Sequence, residues 1–212
     1  MKGDILDPLF KLIETDYKNK VEVFKKEIHE PGSIVFLGDS MISYWNIGNN
    51  IKNDNIINWG ISGDTTVGVL DRLDLVINLN PSIVIISVGS NDLIRVPNTT
   101  INDIGERIKL INEKLKKSIP DVIVKFISLL PVLDNHEITN ENYLRKRTNK
   151  QIDDINNAIL KHIEYIDVNT KLKDKNNKLK LEYTMDGIHL NDAGYKIFSQ
   201  AIANEVSEII LL

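Results

Sequence analysis

The chain of 212 residues contains no cysteine, which excludes thiol nucleophiles, disulfides and cysteine-ligated metals. No apolar run approaches membrane-spanning length, so we expect no integral contact with a membrane. Neither sign of charge dominates, and the net charge of −4 gives no bulk attraction to nucleic acid. The phosphate-binding patterns G-x-G-x-x-G and G-x-x-x-x-G-K-[ST] are also absent, which disfavours a nucleotide-binding protein.

The remaining composition is that of an ordinary globular chain, with 42% hydrophobic and 26% charged residues. The length fits one domain over residues 1–212, with a helix in residues 1–30 packed on it. Acidic residues and Pro8 stand where a secretory leader needs an unbroken apolar region, so we expect a cytoplasmic protein. The densest basic run, residues 144–147, is interpreted as a solvated helix face.

Five short apolar runs predict strands, at residues 33–38, 56–59, 83–88, 122–127 and 165–168. The third run is continuous and β-branched, which is typical of a strand covered on both faces. Amphipathic spacing predicts helices between the runs: over residues 5–29, after Asp64 or Thr65, after Thr99 or Thr100, from about residue 140, and after Asn191. The inner face predicted for the first of these helices includes Ile28, and that of the last includes Ala193. The polar stretch 170–183 is interpreted as a surface excursion.

This alternation of strand and helix predicts an α/β fold, a three-layer α/β/α sandwich with a mostly parallel five-stranded sheet. Ligands of such sheets bind beyond the carboxyl ends of the strands. Polar residues follow the first three predicted strands and precede the last predicted helix. We therefore expect their side chains to meet at one edge of the sheet.

Ser40 ends the first of these polar stretches and is the candidate nucleophile. A serine needs a base within hydrogen-bonding reach, usually a histidine held by a carboxylate. His189 follows Asp186 by three residues with Gly187 between, so one turn can present both side chains. The other histidines are interpreted as surface residues: His29, His136 and His162. The α/β-hydrolase elbow G-x-S-x-G is absent because Ile42 replaces its last glycine.

An oxyanion also needs hydrogen-bond donors, and three are available near these strand ends. Gly63 offers a backbone N–H that no side chain screens, Asn91 offers a side-chain amide, and Ser40 offers its own N–H. Each feature has a structural alternative when taken alone. Gly-Asp-Ser is a common turn, Asn91 could form an Asx turn, Gly63 could serve a positive φ, and Asp186 could be a cap. The ordered conjunction of all of them favours chemistry.

The chain resembles the SGNH hydrolases, or GDSL-type esterases and lipases, from about residue 33 to residue 198. The resemblance rests on Gly-Asp-Ser at 38–40, Asn-Trp-Gly-Ile-Ser-Gly-Asp-Thr-Thr at 58–66, Gly-Ser-Asn-Asp at 89–92 and Asp-Gly-Ile-His at 186–189. The second block is most similar to the branch near platelet-activating-factor acetylhydrolase catalytic subunits and bacterial lysophospholipase-like esterases. Two residues depart from the family pattern: Met41 replaces a leucine, and Trp59 stands where many relatives have a basic residue.

The resemblance implies a flavodoxin-like fold and ester hydrolysis without metal or cofactor. It implies a catalytic triad of Ser40, Asp186 and His189, and an oxyanion hole of Ser40, Gly63 and Asn91. We expect a serine esterase acting on a small-molecule ester, with short acyl groups such as acetyl favoured because no apolar lid is visible. The alternatives are a lysophospholipase or thioesterase on longer chains, and a non-catalytic ligand-binding module. The family includes dimers, so a homodimer is also an expectation.

Overall fold

A computed structural model describes residues 6–134, 138–139, 144 and 147–212. Its five strands are β1 (Ile34–Gly38), β2 (Ile56–Gly60), β3 (Ile83–Ser87), β4 (Ile123–Ile127) and β5 (Glu164–Ile166). Their order is β2-β1-β3-β4-β5, and every pairing between them is parallel. This is the flavodoxin-like strand order.

The helices of the described residues alternate with the strands. They are α1 (Leu6–Phe24), α2 (Ser40–Ser43), α3 (Thr66–Asp71), α4 (Leu73–Asn78), α5 (Asp92–Arg95), α6 (Ile101–Ser118), α7 (Asn149–Ile159), α8 (Asn169–Leu172) and α9 (Asp192–Glu205). Short 3₁₀ turns occupy Ile47–Asn49 and Leu181–Tyr183. Side-chain caps begin the helices where the sequence predicts them, with Thr65 before α3, Thr100 before α6 and Asn191 before α9.

The sheet is covered on both faces. All five residues of β1 and of β3 are buried, although alternate side chains of a strand point to opposite faces. The inward positions of α6 are Ile104, Ile108, Ile111 and Leu115, and none of them is exposed. The predicted three-layer α/β/α fold with its parallel five-stranded sheet is therefore confirmed.

The strand register brings the polar segments to one edge. Gly38, the last residue of β1, lies opposite Gly60 of β2 and Ser87 of β3. The residues that follow these three strands therefore leave the sheet side by side. Gly60 also permits close packing, because a side chain there would collide with the backbone of Ser43 in α2.

Four predictions about helix bounds and burial are wrong. The N-terminal helix ends at Phe24 rather than near residue 29, so Ile28 is 94% exposed instead of packed. The helix predicted from about residue 140 is not continuous: Leu144 is helical, residues 147–148 are not, and the long helix begins at Asn149 after its cap Thr148. Residues 140–143 and 145–146 lie outside the described part.

The other two differences concern burial near the end of the chain. The stretch 170–183 is only partly a surface excursion, since Leu172 and Leu179 are fully buried and an antiparallel bridge joins Lys173 to Leu179. Ala193, predicted on the inner face of the last helix, is exposed, because the buried positions of α9 run through Tyr195, Phe198 and Ile202. Among the described helices, none combines the length and apolarity that a membrane span requires.

Candidate active site

Ser40 is the first residue of α2, directly beyond the end of β1. Asp39 caps this helix, and its Oδ1 accepts a hydrogen bond from the Met41 N–H at 3.0 Å. The hydroxyl of Tyr195 donates to the Met41 carbonyl oxygen at 3.0 Å and fixes the same turn from the side of α9. Ser40 is only 8% exposed, so its hydroxyl is held at the floor of a cleft.

Ser40, His189 and Asp186 form a continuous hydrogen-bonded chain. The Oγ of Ser40 lies 3.1 Å from Nε2 of His189, and Nδ1 of His189 lies 2.7 Å from Oδ2 of Asp186. An Nδ1–H donated to the carboxylate leaves Nε2 free to accept the serine proton. The structure thus brings together these three predicted residues, although 149 positions of sequence separate Ser40 from His189.

The turn 186–189 is organised by Asp186 itself. Its Oδ1 accepts from the backbone N–H groups of Ile188 at 3.0 Å and His189 at 2.7 Å. Gly187 has φ +82°, and any side chain there would collide with Thr139. Both carboxylate oxygens of Asp186 are therefore engaged, one by the turn and one by the imidazole.

Electrostatics keep Asp186 ionised. Partial burial raises its pKa, but the hydrogen bonds from the His189 ring and from the backbone of His189 and Ile188 outweigh this effect. The net result is a pKa below the ordinary value of an aspartate. A carboxylate in this state is suited to hold and stabilise an imidazolium.

The two later candidates for the oxyanion hole line the same cleft as Ser40. Gly63 lies in the loop after β2 with φ +75°, and Asn91 directly precedes α5. One amide hydrogen of Asn91 is donated to the Asp64 carbonyl oxygen at 2.9 Å. Nδ2 also lies 3.4 Å from Oδ2 of Asp39, a contact long enough to be exchanged for a stronger acceptor.

The loop that carries Gly63 is fixed by a buried ion pair. The carboxylate of Asp64 accepts from Nη2 of Arg72 at 2.8 Å and from Nε at 3.1 Å, and both side chains are about 1% exposed. Breaking a buried pair of this kind leaves an uncompensated charge, so the pair strongly resists displacement of the loop. The position of the Gly63 N–H is set in this way.

Arg147 is a site residue that the sequence does not reveal. Its Nη2 donates to Oδ1 of Asn91 at 2.5 Å, and its Nε donates to the carbonyl oxygen of Ser90 at 3.1 Å. The interpretation of residues 144–147 as a solvated helix face is therefore wrong for Arg147, which is half-buried against the cleft. Its partners lie 56 and 57 positions away, so only the folded chain identifies it.

Asp39 is a buried acid beside the candidate nucleophile Ser40. Burial is the main cause that raises its pKa to about 7, and the negative charge of Asp64 adds to this. The Met41 N–H, the Arg147 guanidinium and the Ser90 hydroxyl act in the opposite direction. Its role in the fold is that of the cap that fixes the position of Ser40.

The site opens into a cleft of about 760 Å³. One wall is the N-terminal helix, which contributes Leu9, Phe10, Leu12, Ile13, Asp16 and Lys20. Tyr44, Met185 and Ile188 also line the cleft, and the ring of Tyr44 lies 5.1 Å from that of His189. The helix α1 thus gives the cleft an apolar wall that does not come from the loops of the sheet.

Trp59 does not line this cleft. It is 2% exposed, its ring stacks on that of Phe24 at 4.8 Å and 15°, and its Nε1 donates to Oε2 of Glu27 at 2.8 Å. The departure from the family pattern at Trp59 thus anchors the end of α1. It does not alter the floor of the cleft.

The other histidines occupy different places. His29 lies 2.9 Å from Glu27 beside Trp59, and His162 lies 3.8 Å from Glu106. Neither lines the cleft, and His136 is outside the described residues. In the described ranges, no three His, Asp or Glu side chains are grouped as a metal ion would require.

A parallel sheet in the order 2-1-3-4-5, with a Ser-His-Asp chain at its carboxyl edge, defines a flavodoxin-like fold that carries a candidate serine-hydrolase site. Residues 36–197 match the GDSL-like lipase/acylhydrolase family, and the chain belongs to that family. The resemblance found in the sequence is confirmed, and the protein is a carboxylic ester hydrolase by family.

Solved structures of other proteins are similar to this fold. A protein of Streptococcus pneumoniae, provisionally described as a platelet activating factor, has 27% identity and a TM-score of 0.79, with 95% of each chain covered. A GDSL-like lipase from Bacteroides thetaiotaomicron has a TM-score of 0.74 over 91% of this chain and 98% of its own. Its identity of 23% supports the fold alone.

A curated relative is a longer protein. The N-acylneuraminate cytidylyltransferase of Escherichia coli O18:K1:H7 is 25% identical over 197 residues, which are 91% of this chain. The chain spans only 43% of the length of that relative.

Proposed function

We propose that the protein is a serine esterase that cleaves short-chain carboxylic esters, such as acetyl esters of small alcohols, through an acyl-enzyme. The observation that carries this proposal is the chain from Ser40 Oγ through His189 to Asp186, at 3.1 and 2.7 Å, which opens into the cleft. A binding-only protein has no need of this arrangement.

In the first half-reaction, Oγ of Ser40 attacks the ester carbonyl carbon while Nε2 of His189 accepts the serine proton. Asp186 holds the imidazole by its Nδ1–H and stabilises the imidazolium. The tetrahedral adduct collapses, the bond to the alkoxy oxygen breaks, and His189 returns the proton to the departing alcohol. Water then attacks the acyl-Ser40 ester with His189 again as base, which releases the acid and restores the serine.

The negative oxygen of the adduct is held by the N–H groups of Ser40 and Gly63 and by the Asn91 amide. Arg147 is a positioning residue in this scheme. By donating to Oδ1 of Asn91 it keeps the amide nitrogen turned away from the guanidinium, toward Asp64 and the cleft. It also withdraws charge from the amide, which strengthens the remaining N–H as a donor.

A polar alcohol is favoured by a depression that adjoins the cleft. The depression has a volume of about 340 Å³ and shares Tyr44 and Met185 with the cleft. Its lining includes the amides of Asn46, Asn49 and Asn50, whereas the amide of Asn191 in the same lining is engaged in capping α9. Amides can both donate and accept, as recognition of a polyhydroxylated leaving group such as a sugar requires. The name of the curated relative, which refers to N-acylneuraminate, is compatible with such an alcohol.

A lysophospholipase or thioesterase activity on long acyl chains is the second candidate. It is favoured by two large apolar side chains at the cleft rim, Leu12 and Met185, which are 65% and 63% exposed. Exposed apolar groups beside a cleft are a common feature of surfaces that meet apolar ligands.

The experiment that tests the function compares wild type, Ser40→Ala and the surface control Ser207→Ala. We expect hydrolysis of p-nitrophenyl acetate and butyrate by wild type and control, little with octanoate or palmitate, and none by Ser40→Ala. A fluorophosphonate probe should label wild type and control but not Ser40→Ala. Full activity in Ser40→Ala would refute the assignment, and a maximum at palmitate would favour the second candidate. A wild type that is inactive and unlabelled would favour a binding module.

A further inference from the structure

The N-terminal helix α1 places an apolar surface directly beside the proposed site. Leu9, Ile13, Asp16 and Lys20 are spaced by four, three and four residues, and all line the cleft. This spacing puts them on one face of the helix. The family match begins at residue 36, so this wall belongs to a part of the chain outside the matched region.

The position of α1 is fixed by contacts away from the cleft. The hydroxyl of Tyr17 donates to the Gly68 carbonyl oxygen at 2.7 Å, and burial raises the pKa of Tyr17 to about 12, so the donor stays protonated. Near its end, Phe24 stacks on Trp59. The helix is thus held at its middle and at its C-terminal end.

Ile13 brings α1 into contact with the loop that carries Gly63. A Cβ atom placed on Gly63 would lie 2.8 Å from Cγ2 of Ile13, so Ile13 packs against the proposed oxyanion donor. Arg95 donates to the Gly63 carbonyl oxygen and stacks on the ring of Phe10, with its guanidinium carbon 5.8 Å from the ring centre. These contacts link the first turns of α1 to the oxyanion hole.

We propose that Leu9 and Ile13 contact the acyl group of the substrate and determine its length. This proposal rests on the proposed esterase function. An ester whose carbonyl oxygen is bound by Gly63 has its carbonyl carbon within reach of Ile13. The apolar surface from Leu9 to Ile13 extends for about 6 Å along the helix. Asp16 and Lys20 follow it, so the apolar contact ends after a few methylene groups.

The test is the ratio of kcat/KM for p-nitrophenyl butyrate to that for p-nitrophenyl acetate. Each ratio is measured on one preparation, so the active fraction cancels. Ile13→Val removes the terminal methyl group of isoleucine. Ile13→Thr removes the same group and also replaces one γ-methyl by a hydroxyl, so the two variants differ mainly in the polarity of the wall. We expect the ratio of Ile13→Thr to fall about fivefold below that of Ile13→Val, which is the effect of roughly one methylene contact.

The matched control is Val23→Thr, on the same helix but outside the cleft, where Val23 is 51% exposed. Its ratio should equal that of wild type. Equal ratios for the two Ile13 variants overturn the proposal. A changed preference among acetate esters of different alcohols, with no change in the acyl ratio, also overturns it, since α1 would then contact the leaving group. An inactive, unlabelled wild type overturns the proposed function and this proposal together.

Discussion

Arg147 holds Asn91 by a hydrogen bond of 2.5 Å from its Nη2 to the amide oxygen, while its Nε donates to the Ser90 carbonyl oxygen. The guanidinium thus donates both to the side chain of Asn91 and to the backbone of its neighbour Ser90. Such a two-pronged contact needs the fixed fork of arginine, which the single ammonium of lysine cannot reproduce. The orientation of the Asn91 amide therefore depends on Arg147.

We predict that Arg147→Lys and Arg147→Met each lower kcat about 10- to 100-fold with little change in KM, because they loosen a donor used in the transition state. Steady-state kinetics on p-nitrophenyl acetate measure both constants. In an Asn91→Ala background, Arg147→Met should lower kcat by less than about threefold, since the amide that Arg147 positions is no longer there. A large rise in KM instead would mean that Arg147 binds the substrate directly.

Replacement of Asn91 separates donation from packing. Asn91→Ala removes the amide, whereas Asn91→Asp keeps an acceptor for Arg147 but cannot donate to an oxyanion. We expect both variants to lose about 10²- to 10³-fold in kcat. Retained activity in Asn91→Asp would show that the amide N–H is not an oxyanion donor.

The carboxylate of Asp186 is predicted to fix the imidazole tautomer. In Asp186→Asn the amide can offer a donor where His189 needs an acceptor, and we expect kcat to fall by roughly 10²- to 10⁴-fold. Asp74→Asn, an exposed position on α4, is the control and should keep wild-type rates. Activity close to wild type in Asp186→Asn would exclude a triad role for this carboxylate.

The buried acid Asp39 predicts a pH-dependent stability. Its pKa is about 7 in the fold against an ordinary 3.8, so between these values the folded chain keeps a proton that the unfolded chain releases. The contribution of Asp39 to the free energy of unfolding is therefore complete below about pH 4, and it is lost as the pH rises through 7. Asp39→Asn can still accept from the Met41 N–H but cannot ionise.

Urea denaturation at pH 5 and pH 8 tests this prediction. The free energy of unfolding of wild type should fall between the two pH values relative to Asp39→Asn, by roughly a few kcal/mol at most. The test compares how the free energy of unfolding changes with pH in each protein, so a constant difference in stability between the two proteins does not affect it. If the stabilities of wild type and Asp39→Asn changed equally with pH, the raised pKa of Asp39 would be contradicted.

Trp59 is predicted to stabilise the attachment of α1. Trp59→Phe keeps a ring against Phe24 but loses the hydrogen bond to Glu27. We expect it to lower the free energy of unfolding by about 0.5–1.5 kcal/mol. Trp59→Ala leaves a cavity as well and should cost about 3–5 kcal/mol. Thermal or urea unfolding measures both, and equal losses in the two variants would contradict the stacking role.

The strands, the helix caps and the residues of the proposed triad can be predicted because their sequence signals are local. The buried run that forms β3, the cap Asn191 and the three-residue spacing from Asp186 to His189 can each be recognised within a short stretch of sequence. Arg147 cannot be recognised in this way, because its role depends on the distant Asn91. The same holds for Ile13, since helical spacing shows an apolar face but does not show which part of it borders the cleft.

The separation of α1 from the matched region has an engineering consequence. The proposed reacting groups lie at the edge of the sheet, while one wall of the cleft is a helix joined to β1 by a short connection. Replacing α1 by the corresponding helix of a relative would combine the same proposed catalytic residues with a different cleft wall. The residue opposite its end, Trp59, must be transferred with it, because a transplanted helix without its docking partner loses the contact that sets its position.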